Sequence, residues 1–175
     1  VSSKRKYAVF SILAVITVIL DQWTKILARQ SLRDLGTGKK VIVEGYFDLR
    51  YSENPGVAFG MFQNLQGGRI ILTVVAVVAL LLVFQYLRKT EDHQKILHAA
   101  LGLIGGGAIG NVLDRALYGR VTDFIVWRYK QHEWPAFNVA DAALVIGVGL
   151  MFIDMLKHPK VTPTPPQPQS GAESA

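Results

Sequence analysis

The sequence predicts an all-α membrane protein, four transmembrane helices with a small extracytoplasmic β-sheet, on three observations. Four apolar stretches, at 7–20, 70–87, 96–113 and 139–156, punctuate a chain of 175 residues. Half of the residues are hydrophobic and only 18% are charged, a balance rare in a soluble domain of this length. The basic residues cluster beside the apolar stretches instead of forming one stripe, which is a topology pattern and not that of a nucleic-acid reader.

Crossing a bilayer takes about 20 helical residues, with a range of about 17–25. The last three stretches approach or meet that length. The first reaches it only by continuing through Asp21 into 22–27, with Lys25 extending its ammonium toward the interface. Lys4, Arg5 and Lys6 ahead of this run also fit a secretory signal. Asp21-Gln22-Trp23 stands where a small-residue cleavage site belongs, so the run is read as a retained span. In the third stretch Gly102, Gly106 and Gly110 recur every four residues, leaving one helix face flat for the close approach of another helix.

Eight Lys and Arg lie in the N-terminal tail, the connection at 88–95 and the C-terminal tail, and eleven are spread over the longer segments 22–69 and 114–138. Basic density in short segments beside the spans sets orientation, so both termini are expected in the cytoplasm and the long segments outside. Residues 41–51 are rich in β-branched and aromatic types and partly alternate, as a strand does, and Asn54-Pro55-Gly56 follows as a turn signal. Residues 119–129 form a second strand candidate, and a small sheet resting on the outer membrane surface is expected. The chain is thus one domain, 1–158, with a Pro-, Gln-, Ser- and Thr-rich tail, 159–175, expected to be disordered and cytoplasmic.

The absence of cysteine excludes disulfides, thiolate metal sites and a Cys nucleophile. His93, His98, His132 and His158 lack zinc-protease spacing, and no Gly-x-Ser-x-Gly elbow or Lys-Ser/Thr phosphate loop occurs. No metal and no nucleic acid is expected, despite a formal net charge of +6.

Acids and amides gather at the outer ends of the spans. Asp21 closes the first. Asn111, Asp114 and Arg115 close the third on one helical face, at i, i+3 and i+4. Asn138 and Asp141 open the fourth, with Asp123 between the two spans, so topology brings all of them to one depth. Each also has a plainer role. Asp141 fits a helix cap, Asp21 and Lys25 an i, i+4 ion pair, and Asn54 the start of a turn. For Asp114 the plainer role, an ordinary helix-end charge, is preferred. The pairing of Asp123 with Asp141 points further. Two carboxylates sharing a site do not both ionise. The charged one takes a proton from water while the protonated one donates to a peptide carbonyl, which is peptide hydrolysis without a metal or covalent intermediate.

Five motifs carry a resemblance. Asp21-Gln22-Trp23-Thr24-Lys25, Asn54-Pro55-Gly56-Val57-Ala58-Phe59-Gly60, Gly106-Gly107-Ala108-Ile109-Gly110-Asn111-Val112-Leu113-Asp114-Arg115, Val121-Thr122-Asp123-Phe124 and Phe137-Asn138-Val139-Ala140-Asp141-Ala142 occur in the order of those of the bacterial lipoprotein signal peptidases (signal peptidase II), which the chain resembles. The resemblance covers nearly everything before the tail. It implies an intramembrane aspartyl endopeptidase of the bacterial cytoplasmic (inner) membrane that cuts diacylglyceryl-modified prolipoproteins just before the lipidated Cys. Asp123 and Asp141 would be the catalytic dyad. Asn54, Gly56, Asn111, Arg115, Asn138 and Ala140 would bind substrate or support the dyad, as would Asp21 and Lys25. It implies no cofactor, membrane lipids around the spans, globomycin-type inhibitors in the substrate site, and an active site near the outer face for which a monomer suffices.

The rival reading is a small ion-coupled transporter or channel using Asp21 and Asp141. Transport sites lie near the bilayer midplane, whereas the acids here sit at one end of the spans. A membrane scaffold, a third reading, would tolerate loss of either acid.

Overall fold

The computed structural model describes residues 3–35, 38–55 and 68–157. In chain order the elements are α1 (Ser3–Ser31), β1 (Lys39–Val43), β2 (Phe47–Asn54), α2 (Gly68–Lys89), α3 (Lys95–Tyr118), β3 (Val121–Tyr129), β4 (His132–Glu133) and α4 (Val139–Lys157). All four helices are long and apolar enough to cross a membrane. The expected fold class is the observed one. The tail 159–175 and the turn glycine Gly56 lie outside the described residues.

α3 is the central helix, packed between α1 and α4, with α2 against it as well. Its most apolar window is 61% buried against 6% for α2, and the glycines are the reason. A Cβ on Gly102 would stand 2.9 Å from the Phe10 carbonyl oxygen, one on Gly106 2.7 Å from that of Ala14, and one on Gly110 2.5 Å from Asp21 Oδ2. The predicted flat face therefore meets α1. Gly107, on another face, meets α4: a Cβ there would stand 2.5 Å from the Ala140 carbonyl oxygen. Without glycine at these positions the helices could not approach so closely.

α1 extends well past the apolar run, because its later polar residues turn inward and are satisfied there. Lys25 was expected to reach for the interface; it is instead fully buried and paired with Asp21. At the opposite end of the bundle Lys6 donates to the carbonyls of Arg88 (3.0 Å) and Thr90 (2.8 Å), closing off the C-terminus of α2.

The sheet is antiparallel with order β1-β2-β3-β4. The segment 41–51, read as one strand, is a hairpin: Gly45 takes a φ of 79°, and the chain reverses between Val43 and Phe47. The candidate at 119–129 is β3, entered by a sharp turn. Gly119 caps α3 at a φ of 77°, its N–H donating to the Arg115 carbonyl. Only two residues therefore separate α3 from β3, which delivers Asp123 close to the helix end. Phe124 and Ile125 both donate to the Phe137 carbonyl, and Phe137 donates to that of Ile125. This pairing brings Asn138, and so the start of α4, beside Asp123. Phe124, Ala28 and Leu32 form the apolar layer between the sheet and α1.

Candidate active site

Asn138 begins α4 and joins the two acids. Its carbonyl accepts the N–H of Ala142, the first helical hydrogen bond. Its Oδ1 accepts the Asp141 N–H at 3.0 Å, and its own N–H donates to Asp141 Oδ2 at 3.2 Å. This is a reciprocal capping box with Asp as the third helical residue, so the capping role weighed for Asp141 is real. It does not exhaust the residue. Asn138 Nδ2 donates to Asp123 Oδ1 at 2.7 Å, so one asparagine holds Asp141 by its backbone and Asp123 by its side chain.

Asn111, on α3, makes the second link. Its Nδ2 donates to Asp141 Oδ1 at 2.8 Å. Its Oδ1 accepts from Lys25 Nζ at 3.0 Å and Asn138 Nδ2 at 3.2 Å. Both amides are thus oriented, each with its NH₂ toward a carboxylate, while Asn111 Oδ1 faces the Lys25 cation and Asn138 Oδ1 the Asp141 N–H. Asn54, the last residue of β2, also hydrogen-bonds the Asp123 side chain.

Asp123 is 5% exposed. Burial, reinforced by the neighbouring Asp141 charge, raises its carboxyl to about 7; Asn138, Lys25 and Asn54 act in the opposite sense. Arg115, on α3, feels both Asp141 and Asp123, and its Nε is buried with no acceptor among the described residues.

Asp21 and Lys25 form a buried pair at 2.8 Å, not an interfacial one. Asp21 Oδ1 accepts the Ala140 N–H at 2.9 Å, a backbone donor in the first turn of α4, where a negative charge is favoured. Ala140 is fully buried; it supplies this N–H and a side chain small enough for α3 to pass.

The structure corrects the reading of Asp114. It is not a solvated helix-end charge but completely buried. Its Oδ1 accepts from Arg29 Nη2 at 2.8 Å and its Oδ2 accepts the Thr122 N–H at 2.9 Å, with Lys25 Nζ 3.5 Å from the same oxygen. Gln22 and Thr122 stood within the motifs without a role of their own, and Arg29 was not singled out in the sequence. A signal was present: Asp21, Lys25 and Arg29 stand at i, i+4 and i+8, a polar stripe along a helix otherwise read as apolar. Of the expected residues, Asp21, Lys25, Asn54, Asn111, Arg115, Asp123, Asn138, Ala140 and Asp141 converge. No group of His, Asp or Glu suited to a metal ion occurs among the described residues.

Residues 13–157 match the family model described as signal peptidase (SPase) II. The lipoprotein signal peptidase of Symbiobacterium thermophilum is 40% identical over 147 residues, covering 83% of this chain and 92% of that protein. The one from Geobacter metallireducens is 39% identical over 157 residues, 88% and 94% of the two chains. A bacterial membrane enzyme solved by the in meso method at 1.9 Å resolution superposes with a TM-score of 0.74 at 30% identity, over 83% of this chain and 91% of its own.

Proposed function

The chain belongs to the signal peptidase II family and is a membrane-spanning aspartic peptidase that removes the signal peptides of lipoproteins; on that premise we propose that Asp123 and Asp141 are its catalytic pair. The observation that carries the proposal is Asn138, bonded to both acids at once. The buried cluster holds four carboxylates, Asp21, Asp114, Asp123 and Asp141, and three cations, Lys25, Arg29 and Arg115. One proton on the pair makes it neutral. Asp123, raised to about 7, is the holder of that proton near neutral pH.

Asp141 takes a proton from the attacking water as oxygen adds to the scissile carbonyl carbon, and Asp123 gives its proton to the carbonyl oxygen. In the tetrahedral intermediate the proton on Asp141 then passes to the leaving nitrogen and the C–N bond breaks. A proton from the intermediate's hydroxyl returns to Asp123 as the carbonyl reforms. Arg115 lies in the field of Asp141 and Asp123 and offsets the negative charge on the pair. Asn111, Asn138 and Asn54 keep the carboxyls oriented, and Lys25 and Asp21 keep the amides so.

The finer reading of substrate and setting is also part of the proposal. An apolar cleft of about 360 Å³, lined by Trp127, Trp134, Phe137, Val145 and Ile146, runs up to Asp141 along α4. It suits the apolar part of a diacylglyceryl-modified prolipoprotein cut before its lipidated Cys, and a globomycin-type peptide would compete there. The described pair lies on one chain, so a monomer suffices. The sheet faces outward from the cytoplasmic membrane, with both chain ends inside. The transport reading finds no support, since Asp21 is closed in by Lys25, Gln22 and the Ala140 N–H.

The test uses purified protein in detergent and a diacylglyceryl-modified prolipoprotein. Asp123→Asn and Asp141→Asn, each folded, are expected to lose at least about 100-fold in cleavage, and EDTA is expected to leave the wild type unchanged. Full cleavage by either variant would refute the pair.

A further inference from the structure

Thr122 and Asp123 are neighbours on β3, so their side chains leave opposite faces of the strand. Asp123 turns toward Asn138. Thr122 turns the other way, and its hydroxyl accepts from Arg29 Nε at 3.0 Å. The same guanidinium uses Nη2 to hold Asp114 Oδ1 at 2.8 Å, while Asp114 Oδ2 holds the Thr122 N–H at 2.9 Å. Arg29 and Asp114 therefore grip Thr122 by both its side chain and its backbone. The ring of the last α3 residue, Tyr118, lies 3.9 Å beneath the Arg29 guanidinium, which limits its rotation.

This grip acts beside an irregularity in the sheet's register. The pairing of β2 with β3 is irregular between Leu49 and Ser52, and Ser52 is the residue opposite Asp123. A bulge locally disrupts the ladder, and a slip of one residue would turn Asp123 to the wrong face. From the other side the Thr122 carbonyl accepts from Asn138 Nδ2 at 3.3 Å, the same nitrogen that donates to Asp123. A continuous set of bonds thus runs from Arg29 through Thr122 to Asn138 and Asp123.

We propose that Arg29 is a positioning residue for the peptidase reaction, acting through Thr122 and Asp114 to fix Asp123 opposite Asp141. Arg29 touches neither carboxyl of the pair. Nor does a mere end-of-helix ion pair require the Thr122 hydroxyl or a planar fork spanning two elements. Misplacement by about 1 Å costs up to about 100-fold in rate. The inference rests on the dyad assignment, and Asp123→Asn is assayed alongside so that the two can fail separately.

Arg29→Gln, Arg29→Lys, Thr122→Val and the double variant Arg29→Gln/Thr122→Val are purified in detergent, with Arg33→Gln as a control that removes a charge from an exposed residue just beyond α1. For each, kcat, KM, the pH profile and thermal unfolding are measured on the prolipoprotein substrate. Arg29→Gln is expected to lower kcat roughly 10- to 100-fold with KM within about 2-fold. It should also displace the alkaline limb of the profile, which reports Asp123 among Asp141, Lys25, Arg115, Asn54 and Asn138. Thr122→Val should lower kcat by a smaller factor, and the double variant should fall no further than Arg29→Gln alone. Arg29→Lys keeps an ion pair with Asp114 and should recover the unfolding temperature without recovering kcat. Should Arg29→Gln fail to fold, Thr122→Val and Arg29→Lys carry the same comparison. Wild-type kcat and pH profile in Arg29→Lys and Thr122→Val would overturn the inference, as would kcat that merely follows unfolding temperature. Full activity of Asp123→Asn would instead strike the dyad assignment itself.

Discussion

Placing Asp123 beneath Asn138 costs stability, and the sign of that cost is measurable. Its carboxyl titrates near 7 in the folded protein because of burial and then the Asp141 charge, against about 3.9 for an unperturbed Asp. Between those values the folded state keeps a proton that the unfolded state has released. Stability from this group therefore declines as pH rises from about 4 to 7 and is level above that. Asp123→Asn should remove the slope: in detergent at pH 8 it should be more stable than wild type by on the order of 2–4 kcal/mol, seen as a higher unfolding temperature, and show no such gain near pH 4. The catalytic profile has the matching feature. The hydrolytic state needs one proton on the pair, so kcat/KM for prolipoprotein cleavage should fall as pH rises through the pair's upper titration near 7. A flat profile from pH 6 to 9 would contradict this assignment. Buried ion pairs are weak stabilisers in general, so the cluster of Asp21, Lys25, Arg29 and Asp114 is better understood as orientation for the carboxyls than as glue.

Among the elements, α3 decides how close the acids on different helices come. Gly106 admits the α1 backbone, since a Cβ there would stand 2.7 Å from both the Ala14 carbonyl oxygen and the Thr17 Cβ. Gly106→Ala should therefore separate α1 from α3, destabilise by about 1–3 kcal/mol, and lower cleavage by shifting Asp21 and Lys25 away from Asn111. Gly149, on α4, has nothing within 4 Å of an added Cβ, and Gly149→Ala should be neutral or slightly stabilising through helix propensity. Thermal unfolding of the two variants side by side checks the contrast. It follows from what each methyl group meets, since both changes are the same in chemistry.

At the scale of the whole molecule the polar residues divide between two ends. The acid pair and its amides lie at the end shared with the sheet, while Lys6, Thr90 and His98 form a separate buried polar group at the other. The proposed orientation puts the sheet outside and α4 ending in the cytoplasm. Because the chain has no cysteine, single introduced thiols report this directly. In intact spheroplasts a membrane-impermeant maleimide should label Lys130→Cys, beyond β3, and spare Lys157→Cys, the last residue of α4, until the membrane is permeabilised. Labelling in the reverse order would invert the assignment.

Chain order alone determined a good deal. Hydrophobic length marked all four spans, because a bilayer demands it of any helix that crosses. Glycine spacing marked the face of α3 that meets α1, and the five motifs marked the family and nine of the residues that converge. Those signals are local or repeat along one element. The hairpin at 39–54 was missed because a turn built on one left-handed glycine, Gly45, interrupts little in a run of β-formers. Lys25 and Asp114 were assigned to the surface for a related reason: charge in a sequence carries no record of its partners. Their burial depends on side chains more than 80 residues away, Asn111 for Lys25 and Arg29 for Asp114. Only the tertiary structure could decide it, since an ionised group enters a low-dielectric interior only where packing brings an opposite charge and hydrogen bonds to meet it.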